Sequence, residues 1–239
     1  GLAQAQALGH PFSLAYALTW DAMLHGVIGN LNSVLKSADA VIALSEQHHL
    51  GLWSSWATVL RGWALTEREP QQGVAEIRRG DEQMRAKGSV FLQPFVSFLL
   101  AKQLVKVGQI GHAIDLVSDA ISSANSDGYW CDAELHRLRG ELLLAQGAAA
   151  MEVEAAFRQA MQIAQKQQAK VFELRAATSL AQFWLNQGRA QESRLLLAPI
   201  YSWFTEGFDT LDLKEAKALL DELATGVVVA AKGGRHEAP

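Results

Sequence analysis

Of the six carboxylates in the stretch "WFTEGFDTLDLKEAKALLDEL", from Trp203 to Leu223, four crowd its first part: Glu206, Asp209, Asp212 and Glu215. Two carboxylates flanking a scissile bond, one protonated and one ionised, can carry out glycosidic acid–base chemistry. The same spacing also has a structural meaning. Gly207 suits the end of one helix, and Asp212 three residues before Glu215 suits a capping box that starts the next. Leu213, Ala216, Leu219, Leu220 and Leu223 then recur at the helical period and define one apolar face. Phe208 falls between the two helices as a plug. The stretch therefore reads as the junction to a terminal capping helix rather than as an acid–base centre.

The other reactive side chains fare no better as chemistry. His48 and His49 are adjacent and point to different helix faces. Asp132 and His136 are four apart on one face, with Glu134 and Glu141 near, but zinc asks for three or four ligands and neither HExxH nor CxxC occurs. A surface polar cluster is the expectation there. Ser54-Ser55 and Ser122-Ser123 lack a His/Asp constellation. Cys131, beside Trp130, reads as a partly buried, inert thiol. No GxxxxGK[ST] loop is present. The sequence thus assigns no catalytic residue, no metal site and no cofactor to the chain, and the expectation is a module without enzymatic activity of its own.

The elements that position these residues follow from composition and period. The chain has 239 residues, 49% apolar and only 19% charged. Ala and Leu dominate, a helical bias. A net charge of −4 offers no basic face for nucleic acid. The longest uncharged apolar run, near Leu195–Phe204, is too short for the roughly 20 residues of a membrane span. One cysteine excludes an internal disulfide and suits a reducing, cytoplasmic setting. The opening "LAQAQALGHPF" reads as the last turns of a helix, so the chain is expected to be a segment of a longer protein.

Small residues mark a repeat. Ala22, Gly62, Ala101, Gly140 and Ala181 recur at intervals of 39 to 41, and Val41, Gly80, Ala120, Ala160 and Ile200 at 39 or 40. Gly29, Gly108, Gly147 and Gly188 fall within units, while Gly9, Gly51, Gly88, Gly128 and Gly207 fall between them, where helices end. The pattern predicts helix hairpins over about 11–50, 51–88, 89–128, 129–169 and 170–207. The end of a preceding repeat lies at 1–10, a capping helix at 208–224 and a tail at 225–239. Their first helices run about Phe12–Ile28, Leu52–Arg68, Phe91–Val107, Tyr129–Gln146 and Lys170–Gln187. Their second helices run about Leu31–Gln47, Gln71–Lys87, Gln109–Ser126, Met151–Gln168 and Arg189–Phe204. One hairpin cannot bury its apolar stripe alone, so neighbours must stack. Pro199 is expected to bend the last hairpin onto the cap.

Within the third unit, "LLAKQLVKVGQIGHAIDLVSDAI" resembles a tetratricopeptide repeat: Leu100-Ala101 and Leu104, the turn at Gly108, then Ala113, Val117 and Ala120. The fifth unit matches too, with Trp184 in the aromatic slot and Ser193 replacing the usual Ala. The period is about 40 rather than 34. The stretches "ELHRLRGELLL", "LRAATSLAQFWLNQGR" and the opening segment resemble the C-terminal helical-repeat region of large bacterial signalling proteins. Those place such repeats after a nucleotide cyclase or transcription-factor domain and a STAND-type ATPase. The resemblance spans roughly 1–224 and implies an all-α fold, a right-handed superhelix of about five antiparallel hairpins with a C-terminal cap, serving as a regulatory or scaffolding segment.

Tetratricopeptide folds line their concave groove with first helices. On this register the groove positions are Tyr16, Thr19 and Met23, then Trp56, Val59 and Trp63, then Phe95, Phe98 and Lys102. Glu134, Arg137 and Glu141 follow, and Arg175, Thr178 and Gln182 complete the stripe. It runs from aromatic to charged. Such a groove suits an apolar or peptide anchor, with arginines for a carboxylate; the same aromatics would equally fill the core of long hairpins. The implied partner is another protein or the parent's own ATPase domain. A small effector in the aromatic groove is the alternative, and a homodimer through the apolar N-terminal edge is a further option. Nucleic acid and membrane are not implied.

Overall fold

The computed structural model describes residues 1–123 and 129–225. The expected helix end at Ser126, the boundary at Gly128 and Val227–Val229 of the tail lie outside the described residues. Among the described residues every regular element is a helix: α1 (Leu2–Leu8), α2 (Pro11–Val27), α3 (Leu31–His48), α4 (Gly51–Leu65), α5 (Pro70–Ala86), α6 (Gln93–Lys106), α7 (Ile110–Ser123), α8 (Asp132–Gln146), α9 (Ala150–Lys166), α10 (Lys170–Asn186), α11 (Ala190–Ser202) and α12 (Leu211–Thr225). None of the described helices is long and apolar enough to cross a membrane. From α2 onward each even-numbered helix packs on the helix that follows it, and even-numbered helices also touch one another in sequence, α2 on α4, α4 on α6, α6 on α8, α8 on α10 and α10 on α12. Short connections between packed helices make the neighbours antiparallel. The result is a helical-repeat superhelix with the even-numbered helices along one side.

The turns show how the chain reverses. After α8, Gly147 takes φ 79°. Its N–H donates to Leu144 O at 3.1 Å and the next N–H, of Ala148, donates to Leu143 O at 3.0 Å. That pair of bonds satisfies the last carbonyls of the helix and requires a left-handed residue. The expected break at Gly51 is corrected by the structure. His49 takes the left-handed conformation, φ 56°, and Gly51 is already the first residue of α4. An L-residue in that region is uncommon, and the position is where Gly would be preferred.

The small residues do what their spacing asks. A Cβ on Gly62 would lie 2.7 Å from the Ile77 backbone nitrogen, and one on Gly80 the same distance from Ser55 O, so α4 and α5 meet backbone to backbone. A Cβ on Gly140 would lie 2.6 Å from the Phe157 ring. Ala22, Ala101, Ala160 and Ala181 are fully buried. Two apolar cores result, one joining α2 to α8, the other joining α9 to α12. α11 continues through Pro199 and stops three residues later at Ser202. Tyr201 then meets Phe208, ring centroids 6.0 Å apart, which places Phe208 at the junction with α12.

Candidate functional site

The C-terminal end of α2 and the even-numbered helices from α4 to α12 surround a trough of about 710 Å³. Side chains at i, i+3, i+4 and i+7 share one helix face. On α6 this spacing brings Phe95, Phe98 and Lys102 to the trough, and on α8 it brings Glu134, Arg137 and Glu141. Nine of the residues expected in the groove line it together: Trp63, Phe95, Phe98, Lys102, Glu134, Arg137, Glu141, Arg175 and Thr178. The others are elsewhere. Met23, Trp56, Thr19 and Val59 are buried in the core. Tyr16 is exposed against Trp20 and Trp53. Gln182 is exposed and reaches Asn186 at 3.4 Å.

One wall is aromatic. Phe95 is its centre, with ring centroids 4.8 Å from Trp130, 6.0 Å from Phe98 and 6.3 Å from Trp63. Trp56 backs it from the core at 5.9 Å. Trp63 packs closely on α2 because residue 26 is Gly; a Cβ there would come within 2.1 Å of the indole. Aromatic edges and faces at these separations add to area burial and hold the rings in place.

The opposite wall is a chain of ion pairs. Arg137 Nε donates to Glu134 Oε1 at 2.9 Å and Nη2 to Oε2 at 3.1 Å. Arg137 Nη1 also donates to Glu141 and, at 3.4 Å, to Ser179 Oγ. Arg175 Nη1 reaches Glu134 Oε2 at 3.4 Å, while its Nε and Nη2 donate to the two oxygens of Asp212. Burial alone would raise the Glu134 carboxyl, but Arg137, Arg175 and Lys102 outweigh it and hold it below its ordinary value. Burial likewise works against the Arg137 and Arg175 guanidiniums, and the carboxylates beside them keep both more firmly protonated than usual.

Lys102 differs from both arginines. Its Nζ sits 5.6 Å from the Phe98 ring centroid, and among the described residues it has neither a hydrogen bond nor an ion pair. It is solvent-accessible yet set in a concavity, and crowding by the surrounding atoms, then the nearby Arg137, lowers its pKa. The trough thus offers rings on one side, a network of two guanidiniums and three carboxylates on the other and one ammonium between them.

Two expectations are corrected. The cluster of Asp132, Glu134, His136 and Glu141 is not one surface patch. Glu134 is buried because helical phase turns it and Glu141 into the trough. Asp132 Oδ2 accepts the Tyr129 N–H at 2.6 Å, and His136 is half-buried. Nor does Asp212 form a capping box. α12 begins at Leu211, so Asp212 lies within the first turn, where Arg175 takes its carboxylate. Thr210 Oγ1 instead donates to Gly207 O at 2.7 Å. The four crowded carboxylates of that stretch do not converge: Asp212 and Glu215 line the trough, while Glu206 and Asp209 are exposed outside it. Cys131 is buried, and burial pushes its thiol up. Among the described residues no three His, Cys, Asp or Glu side chains gather as a metal site.

Asp212, Ser179 and Trp130 are trough residues that the repeat register did not select. A signal for Asp212 exists: Arg175 stands 41 residues after Glu134 and 37 before Asp212, about one repeat in each direction. Residues one period apart lie side by side on adjacent helices, so opposite charges at that interval meet.

No protein-family model matches the chain. An uncharacterized protein of Rhizobium meliloti (strain 1021) is 27% identical over 191 residues, which is 79% of this chain and 18% of that protein. The chain therefore spans less than a fifth of the relative it matches. Two crystal structures of nearly identical TPR-like repeats, from a Podosopora anserina protein assigned to kinesin light chain, superpose with TM-scores of 0.56 and 0.55. Each is 16% identical, over 81% of this chain and 95% of that one. The fold is that of a TPR-like helical repeat.

Proposed function

We propose that the chain is a non-catalytic interaction and regulatory module of a larger signalling protein, binding a protein partner or its own parent's ATPase domain through the trough. One observation carries this reading. Side chains from six successive elements on one side of the superhelix converge on a single open trough with an aromatic wall and a charged one. Buried aromatic anchors beside paired charges are the features that dominate protein-binding surfaces. The much greater length of the Rhizobium meliloti relative supports a place within a longer chain, as does the resemblance to repeats that follow an ATPase domain. The hairpins at 11–50, 51–88, 89–128, 129–169 and 170–207 would act as stacked units under the cap at 208–224. The test is to titrate the isolated chain against the parent's upstream domains, and to compare the parent's activity with and without it. A saturable complex and altered activity are expected; neither being found would overturn the proposal.

A second reading, a small-molecule effector site, draws on the trough's volume. About 710 Å³ falls in the range of small-ligand pockets. A ligand-dependent rise in melting temperature, lost when Phe98 is replaced by Ala, is the outcome this reading predicts. Effector control further requires that the ligand bind two shapes of the array unequally.

A further inference from the structure

Resting on the proposed place of this chain within a longer protein, we infer that the outer face of α2 docks one more helical hairpin of that protein, whose first helix lies along α2 as α2 lies along α4. Phe12, Tyr16, Trp20 and Leu24 recur every four residues and form one stripe down that face. All four are exposed, Trp20 by 38% and Leu24 by 66%. Trp53 of α4 holds the first two from the side, its ring centroid 5.5 Å from Phe12 and 5.6 Å from Tyr16. The stripe carries no charge. Asp21 and His25 lie off it, 3.7 Å apart, with Ser37 Oγ of α3 donating to Asp21 at 2.7 Å. A helix apolar around most of its girth is one built to be enclosed. The end of a repeat array ordinarily turns a polar face outward, and α2 turns aromatic rings outward instead.

The later helices show what encloses such a face. Trp20 and Leu24 stand two residues before and two after Ala22. The same places around Gly62, Ala101 and Gly140 hold Leu60 and Ala64, Leu99 and Gln103, and Leu138 and Leu142. Each of those six residues is 3% exposed or less. α4, α6 and α8 each pack on both helices of the hairpin before them. Among the described residues α2 has only the seven-residue α1 in that position. α1 also ends as a second helix of a hairpin does. Left-handed residues follow α1, α3 and α5 at Gly9, His49 and Gly88, at intervals of 40 and 39. The matching cover for α2 is therefore a helix antiparallel to α1 and parallel to α2, with an uncharged apolar face toward the stripe. Removal of four large apolar side chains from water supplies the attraction.

Hydroxyl-radical footprinting read by mass spectrometry tests this on the 239-residue chain and on the longer parent, each at a low and a high concentration. Tyr16, Trp20 and Leu24 should oxidise readily in the isolated chain and be protected in the parent, equally at both concentrations. Amide exchange in the parent should find two protected helical stretches within about 40 residues upstream of Gly1, one period, the second running into α1. Leu24→Lys should abolish the protection of Tyr16 and Trp20 in the parent, because an unpaired ammonium is costly to bury. The same substitution should leave the melting temperature of the isolated chain unchanged; a fall would show that Leu24 already packs within the array and would overturn the inference. Equal oxidation of the stripe in the two proteins would overturn it as well. So would protection that grows with the parent's concentration, which identifies a second copy as the occupant, or protection without ordered helices next to α1, which identifies a different domain. If the stripe is protected in the parent and α6, α8 and α10 are not, the trough reading fails and this inference stands; the converse overturns this inference alone.

Discussion

Arg175 holds Asp212 through two near-parallel hydrogen bonds, Nε to Oδ1 at 2.8 Å and Nη2 to Oδ2 at 2.9 Å. Both side chains are partly buried, so the pair lies between an exposed ion pair and a fully desolvated one. It ties the first turn of α12 to α10, while Arg175's other contact reaches α8. Asp212→Asn should therefore cost about 1–3 kcal/mol, and the cost should be concentrated in the cap. Amide exchange in α12 should accelerate more than exchange in α4 or α5. Uniform acceleration along the array, or none, would show that the pair does not hold the cap.

Gly140 gives a prediction whose sign runs against helix propensity. Gly→Ala inside a helix usually gains up to about 1 kcal/mol. Here the new methyl would meet the Phe157 ring at 2.6 Å, and overpacking should turn the gain into a loss of about 1–2 kcal/mol. Because the obstacle is a side chain, Phe157→Leu should relieve it in a double-mutant cycle, with a coupling of about 1 kcal/mol. Gly62→Ala should be costlier, since its Cβ would meet backbone atoms of α5 that no side-chain trimming moves. Urea unfolding of the four variants and wild type checks both statements.

Acid should weaken the fold in two separable steps. His136 is held below its ordinary 6.5, by burial and then by Arg139. The unfolded chain therefore takes up that proton first as pH falls. The stability this residue contributes is complete above 6.5 and is lost as pH drops through its lower folded value. Glu134, held below its ordinary 4.5, follows the same sign further down. Its contribution is complete above 4.5 and disappears as the pH falls through its folded value. His136→Gln should remove the upper step and leave the lower, and Glu134→Gln should do the reverse, in unfolding free energies measured from pH 7 to 3. A profile unchanged by both substitutions would contradict these assignments.

The repeat was legible in the sequence because its cause is local. Close approach of helices demands small side chains, and Gly62, Gly80 and Gly140 stand where any Cβ would collide. Phe98 and Lys102 were likewise legible as trough residues, since helical phase alone sets them on one face. Trp56 was not. Its position matched the groove register, yet it is buried beneath Phe95, and phase does not say which of two aromatics on neighbouring helices lies beneath the other. Asp212 was hidden by a plausible local partner. A capping box with Glu215 competes with a long-range bond to Arg175, and the bidentate guanidinium satisfies both oxygens at once.

Amide hydrogen exchange on this chain, alone and within the longer parent proposed above, tests the central claim most directly. If the trough is where the module meets its partner, α6, α8 and α10 gain protection in the parent. Lys102→Glu should abolish that gain without altering exchange in the isolated chain. Protection confined to the odd-numbered helices, or identical exchange in the two contexts, would contradict the account.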